Sequence, residues 1–119
     1  MSKGKMEVIA HKIKNPQHSK LHWDFIGETC RSFNAALSDK ELITLPSPKR
    51  NIVALRHDKG VFLNEFDFSG INTILVGCDD SGTDDWMDGY QAVNIRTPNN
   101  YFLWSGVALG IALYAFNQE

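Results

Sequence analysis

The chain has 119 residues and a mass of 13.4 kDa, with 43% hydrophobic and 22% charged residues, the composition of an average globular domain. Disordered, collagen-like and disulfide-scaffold classes are excluded on these grounds, and the length is enough for one core, and one domain, without covalent staples. A net charge of −2 with an isoelectric point near 6.0 excludes a protein that coats nucleic acid non-specifically, since that binding is driven by Lys and Arg neutralising phosphates.

Glu7 to Ile13 reads as a first strand, stopped by Asn15-Pro16. Leu21 to Ala36 follows as a helix, because Leu21, Phe25, Thr29 and Ser32, with Ile26, Cys30 and Phe33, fall at helical spacing. Ser19 caps its entry and Asn34 tolerates a left-handed exit. Short β-rich runs come next at Leu42 to Leu45, Ile52 to Arg56 and Val61 to Leu63, separated by Pro46, Pro48 and Asp58-Lys59-Gly60. Thr73-Ile74-Leu75-Val76 is a continuous apolar run of the kind a fully buried parallel strand shows, and Gly77 ends it. A polar loop from Cys78 to Asp85 and a short helical turn around Trp86 lead to a strand at Ala92 to Ile95. The last element, Tyr101 to Phe116, is a helix in which Gly106 and Gly110, like Ala108 and Ala112, stand four apart, leaving one flank nearly bare backbone for a close neighbour. Alternating strands and helices predict an α/β domain with a mainly parallel sheet, where ligands sit beyond the carboxyl ends of strands.

Charge is unevenly divided along the chain. Residues 1–60 hold eleven of the twelve cations against six acids, and residues 61–119 hold only Arg96 against eight acids. A basic binding face with an acidic loop, or two solvated faces, both account for this. Cys30 and Cys78 lie among apolar neighbours without CxxC spacing and read as buried, reduced thiols. Glu7, His11, Lys12 and Lys14 interrupt any apolar signal core, and the longest apolar run, Trp104 to Phe116, has thirteen residues, short of the roughly 17 a membrane span needs. A cytoplasmic protein without a membrane segment is expected. The acidic stretch from Asp79 to Asp85 fails as an EF-hand, since Tyr90 falls at the position of the bidentate Glu. His18 and His22 with Asp24 lack a third ligand, so no metal is expected.

Ile74-Leu75-Val76-Gly77-Cys78-Asp79-Asp80-Ser81-Gly82, then Val93-Asn94-Ile95-Arg96-Thr97-Pro98, then Leu103 and Val107 to Tyr114 resemble, in order and spacing, the SpoU branch of the SPOUT RNA methyltransferases. A strand ends in Val-Gly, a second strand follows, and a helix finishes in Leu-Tyr. The resemblance is strongest over residues 71–116. An echo lies in residues 21–36, where Glu28-Thr29-Cys30-Arg31-Ser32-Phe33-Asn34 resembles the family's first helix.

That resemblance implies a SPOUT-like α/β fold with a C-terminal trefoil knot, a homodimer packed through the helix at 101–116, and S-adenosylmethionine held by three loops. On this chain the cofactor residues are Val76, Gly77, Cys78, Ile95, Thr97 and Leu103. The implied reaction is methyl transfer to a ribose 2'-hydroxyl of tRNA or rRNA. The family's catalytic arginine aligns with Glu28, so Arg31, one turn on along the same helix face, is the substitute, with Asp79 near the methyl donor. The family's Ser and Asn align with Phe102 and Trp104, which lack their hydrogen-bonding capacity. Two readings follow: an S-adenosylmethionine-binding relative with altered catalysis, or a non-catalytic binder of a nucleoside-type small molecule, a protein or RNA. In the second, Phe102 and Trp104 stack on a base; otherwise Trp104 packs into the core at the helix start.

Overall fold

The chain is described from a computed structural model at residues 5–10, 16–38, 45–57, 59–77, 87–95, 97–98 and 103–119. Strands β1 (Glu7–Ala10), β2 (Ala36–Leu37), β3 (Ile52–Arg56), β4 (Val61–Phe62), β5 (Thr73–Val76) and β6 (Gln91–Asn94), with helices α1 (Pro16–Ser32) and α2 (Ser105–Asn117), make up its regular elements. The strands form one sheet in the order β2-β1-β5-β3-β6-β4, and each neighbouring pair is parallel.

Every residue of β3 and β5 is buried, as strands covered on both faces must be. Alternation divides the side chains. Val8, Ala10, Val53, Leu55, Ile74, Val76 and Val93 face the helices, where Ile26 and Cys30 of α1 and Leu109, Ala112, Leu113 and Phe116 of α2 complete the main core. Ile9, Ile52, Ala54 and Leu75 face the other way, onto Met87, Leu45 and Tyr90. A single α/β domain is thus observed, and its sheet is parallel throughout the described strands.

Several predicted boundaries move. α1 begins at Pro16 rather than Leu21, because a proline early in a helix loses no hydrogen bond that the helix would have made. It ends at Ser32 rather than Ala36. Asn34 takes φ 55°, and the Ala35 N–H closes on the Cys30 carbonyl at 2.8 Å, the hydrogen bond of a Schellman ending. Ala36, predicted as the last helical residue, is released together with Leu37 to pair with Glu7 and Val8. The final helix starts at Ser105, since Leu103 and Trp104 are not helical. Leu45 is not in a strand, and the rest of the Leu42 run, with His11 to Asn15 and Trp86, lies outside the described residues.

The flank of α2 with little side chain is filled from within the chain. A Cβ on Gly106 would stand 2.8 Å from ring carbons of Phe25, and one on Gly110 would stand 3.6 Å from the Thr29 methyl. The close neighbour expected there is therefore α1, running parallel to α2 in the same chain. Gly60, at φ 115°, has no room for a Cβ against the Ala92 carbonyl, 2.6 Å away, which lets the chain turn into β4 beside β6. Among the described residues no helix is long and apolar enough to cross a membrane.

Candidate functional site

In a parallel sheet every strand delivers its C-terminus to the same edge, and ligands collect there. Val76 ends β5 and is buried, and Gly77 follows it, also buried. The Ser105 hydroxyl, at the head of α2, donates to the Gly77 carbonyl at 2.8 Å. This bond joins the end of β5 to the start of α2 and brings Gly77 within a few residues of half-buried Leu103. Ile95 and Thr97, both half-buried, continue from β6 at the same edge.

Between these two loops lies β3, a position that sequence order hides. Its register sets Arg56 against Asn94 of β6, and continuing the β3–β5 register by two residues sets Arg56 beside Gly77. With strands about 4.8 Å apart, Gly77 and Asn94 stand roughly 10 Å apart across the end of β3. Val76, Gly77, Ile95, Thr97 and Leu103 are thus brought to one edge. Cys78 and Asp79 lie outside the described residues.

Arg31 is placed elsewhere. Phe25 is level with Gly106 and Thr29 with Gly110, so Arg31, six residues beyond Phe25, stands about 9 Å further along the helix than the head of α2. Its guanidinium is exposed and pairs with the Glu28 carboxylate. On the same face, Phe25, Glu28, Thr29, Val107, Ile111 and Tyr114 line a groove between the helices. Trp104 is 64% exposed, which overturns the core-packing reading of that side chain. Cys30, by contrast, is buried as expected, and burial pushes its thiol up to about 11, against a smaller opposing pull from Arg31. It is a packed side chain with little thiolate at neutral pH.

Sequence reading did not find Arg56. Its side chain is 2% exposed, and its Nη1 donates to Asp88 Oδ1 at 2.8 Å. Lys59 reaches the same oxygen at 3.3 Å. Both cations hold the Asp88 carboxyl below the usual aspartate range, with the Arg56 hydrogen bond the larger cause. Two cations from the basic half of the chain thus meet an acid of the acidic half. The only local signal was an arginine closing a run that is otherwise wholly apolar. Among the described residues no three His, Cys, Asp or Glu side chains gather as a metal site.

No protein-family model matches the chain, and no curated protein matches its sequence. Solved structures do match its fold. One, which gives structural insight into the 2-OH methylation of C/U34 on tRNA, superposes with a TM-score of 0.73 at 16% identity over 99% of this chain and 92% of that one. An AdoMet-bound rRNA methyltransferase from Sinorhizobium meliloti gives 0.64 at 15% identity, covering 98% of this chain and 57% of that one. TrmJ from Z. mobilis ZM4 gives 0.59 at 10% identity over 98% of this chain and 70% of its own.

Proposed function

On a chain that carries the SPOUT methyltransferase fold, we propose an S-adenosylmethionine-binding protein related to the tRNA and rRNA ribose 2'-O-methyltransferases, with altered catalysis. The observation that supports this reading is the strand edge where buried Gly77, tied to Ser105, faces Ile95 and Thr97 across the end of β3. These residues suit an adenosine. Half-buried Ile95, Thr97 and Leu103 offer apolar surface with backbone donors and acceptors, the mixture that small-molecule clefts use. Bound there, S-adenosylmethionine supplies a methyl group on a positively charged sulfur.

The chain's own residues account for the altered chemistry. A ribose hydroxyl is a weak nucleophile and needs a group that takes or orients its proton. Glu28 stands at the position of the family's arginine, and it engages the neighbouring Arg31. Arg31 is also about 9 Å along the helix from the head of α2 within one chain. A second copy docked on the groove between α1 and α2 brings its own helices there, so we include a homodimer in the proposal. Exposed Val107, Ile111 and Tyr114 are the apolar contact it buries.

Calorimetric titration with S-adenosylmethionine and S-adenosylhomocysteine tests the binding, and transfer of a tritiated methyl group to bulk RNA tests turnover. Binding without transfer supports a protein that holds the ligand but does not catalyse. Binding with transfer that is lost in Arg31→Ala assigns the proton-handling role to Arg31, and retained transfer removes it.

A further inference from the structure

Arg56 is a buried cation in an unusual place. It ends β3, the strand lying between the two that deliver Gly77 and Ile95 to the cleft. Its side chain follows Ala54 onto the face away from the helices, where the packing is the apolar cluster of Ile9, Ile52, Ala54, Leu75 and Met87. Taking a guanidinium out of water is costly, and a carboxylate offsets that only in good geometry. Here the geometry is good, with an N–O distance of 2.8 Å to Asp88, whereas Asp88 itself is 57% exposed. Apolar residues of similar volume would fill the space without that penalty, so stability alone is a weak reason for the pair.

The position of Asp88 supplies a better reason. It follows Met87, which is fully buried, and precedes Tyr90, whose hydroxyl donates to the Pro46 carbonyl. Gln91 then opens β6, its side-chain amide donating to the Ile52 carbonyl at 2.9 Å. The approach to β6 enters that strand at the end opposite the cleft and is pinned at successive points, and the Arg56–Asp88 pair ties it to the residue that closes β3 at the cleft. Arg56 and Asn94 are register partners, and Ile95 is the next residue. β6 carries the chain from this segment to Ile95, so a shift of Met87–Tyr90 along the strand axis is passed to the second ligand loop.

We propose that Arg56 is a positioning residue for the cleft: through Asp88 it holds the segment entering β6, and with it Ile95 and Thr97, at the separation from Gly77 that admits the ligand. This rests on the S-adenosylmethionine reading for its ligand, but not for its geometry. The Arg56 side chain is 2% exposed, so it acts on a bound molecule through the groups it holds in place.

The test uses Arg56→Met, Arg56→Lys, Asp88→Asn and the double variant Arg56→Met/Asp88→Asn, which leaves no buried charge unpaired should a single variant fail to fold. Amide hydrogen exchange is measured in the free protein, and S-adenosylhomocysteine affinity by calorimetry. In Arg56→Met, Asp88→Asn and the double variant, exchange at Ile95 and Thr97 rises about tenfold while the amides of β1 keep their rates. Affinity falls by about tenfold, the scale of a sub-ångström misplacement at a site, and Arg56→Lys restores most of both. Unchanged exchange at Ile95 and Thr97 in the folded double variant overturns the proposal, as does a uniform rise across the sheet. If the wild-type chain does not bind S-adenosylhomocysteine, the functional reading falls, and the exchange data alone decide the role of Arg56.

Discussion

Two glycines one helical turn apart have opposite roles. Gly110 has ordinary van der Waals space around a would-be Cβ, whereas Gly106 has the Phe25 ring within 2.8 Å of it. Alanine gains up to about 1 kcal/mol over glycine in a helix interior, and overpacking costs about 1–3 kcal/mol. Gly110→Ala therefore raises the thermal midpoint and Gly106→Ala lowers it, a contrast that differential scanning calorimetry resolves. The Asp88 carboxyl makes a second prediction. Its value in the folded chain is lowered by Arg56 and Lys59, so the stability it contributes is present above the ordinary aspartate range and is lost as pH falls through the lowered value. Asp88→Asn is thus less stable than wild type to urea at pH 7, and the gap narrows at about pH 3. An equal gap at both pH values excludes the ion pair as its source. At this scale the sequence was partly legible. The end of β5 at Gly77 follows from the apolar run before it, but Arg56 and Asp88 are 32 residues apart in sequence and no spacing rule connects them.

The elements were readable where their burial is uniform and obscure where it is mixed. β3 and β5 announced themselves because every side chain is buried, and the Asn34 exit of α1 was legible because few residues accept φ 55°. Periodicity alone carries the helix on to Ala36 and leaves β2 unmarked, because a two-residue strand has no periodicity and only pairing with β1 defines it. α2 shows a different limit. Its apolar residues run nearly all round, so its bare flank signalled close packing without naming the partner, which proved to be α1. What fixes its start is Ser105, whose hydroxyl bonds the Gly77 carbonyl rather than capping its own helix. Ser105→Ala removes that link at a cost of about 1 kcal/mol, measurable by urea denaturation. If the link also shapes the cleft, the variant loses ligand affinity by more than this destabilisation accounts for.

For the molecule as a whole, the uneven charge along the chain becomes a spatial statement. Lys20 pairs with Asp24 and Arg31 with Glu28 along α1, so cations of the basic half are in part neutralised locally, while Arg56 and Lys59 cross to Asp88 ahead of β6. The parallel sheet was legible from alternating elements; its strand order was not, because β5 and β6 insert on either side of β3 and sequence order carries no trace of this. The groove between α1 and α2 leaves Val107, Ile111 and Tyr114 exposed. Ile111→Asp places a charge at the centre of the proposed dimer contact, and light scattering then gives the mass of one chain where wild type gives two. A wild-type mass of one chain contradicts the dimer. Whether the edge joining Gly77, Ile95 and Leu103 holds S-adenosylmethionine is decided by calorimetric titration of the wild-type chain at about 0.1 mM, a concentration that registers dissociation constants to the same order. A saturable heat with one site per chain is expected for S-adenosylmethionine or S-adenosylhomocysteine, and no heat with either refutes binding at this edge.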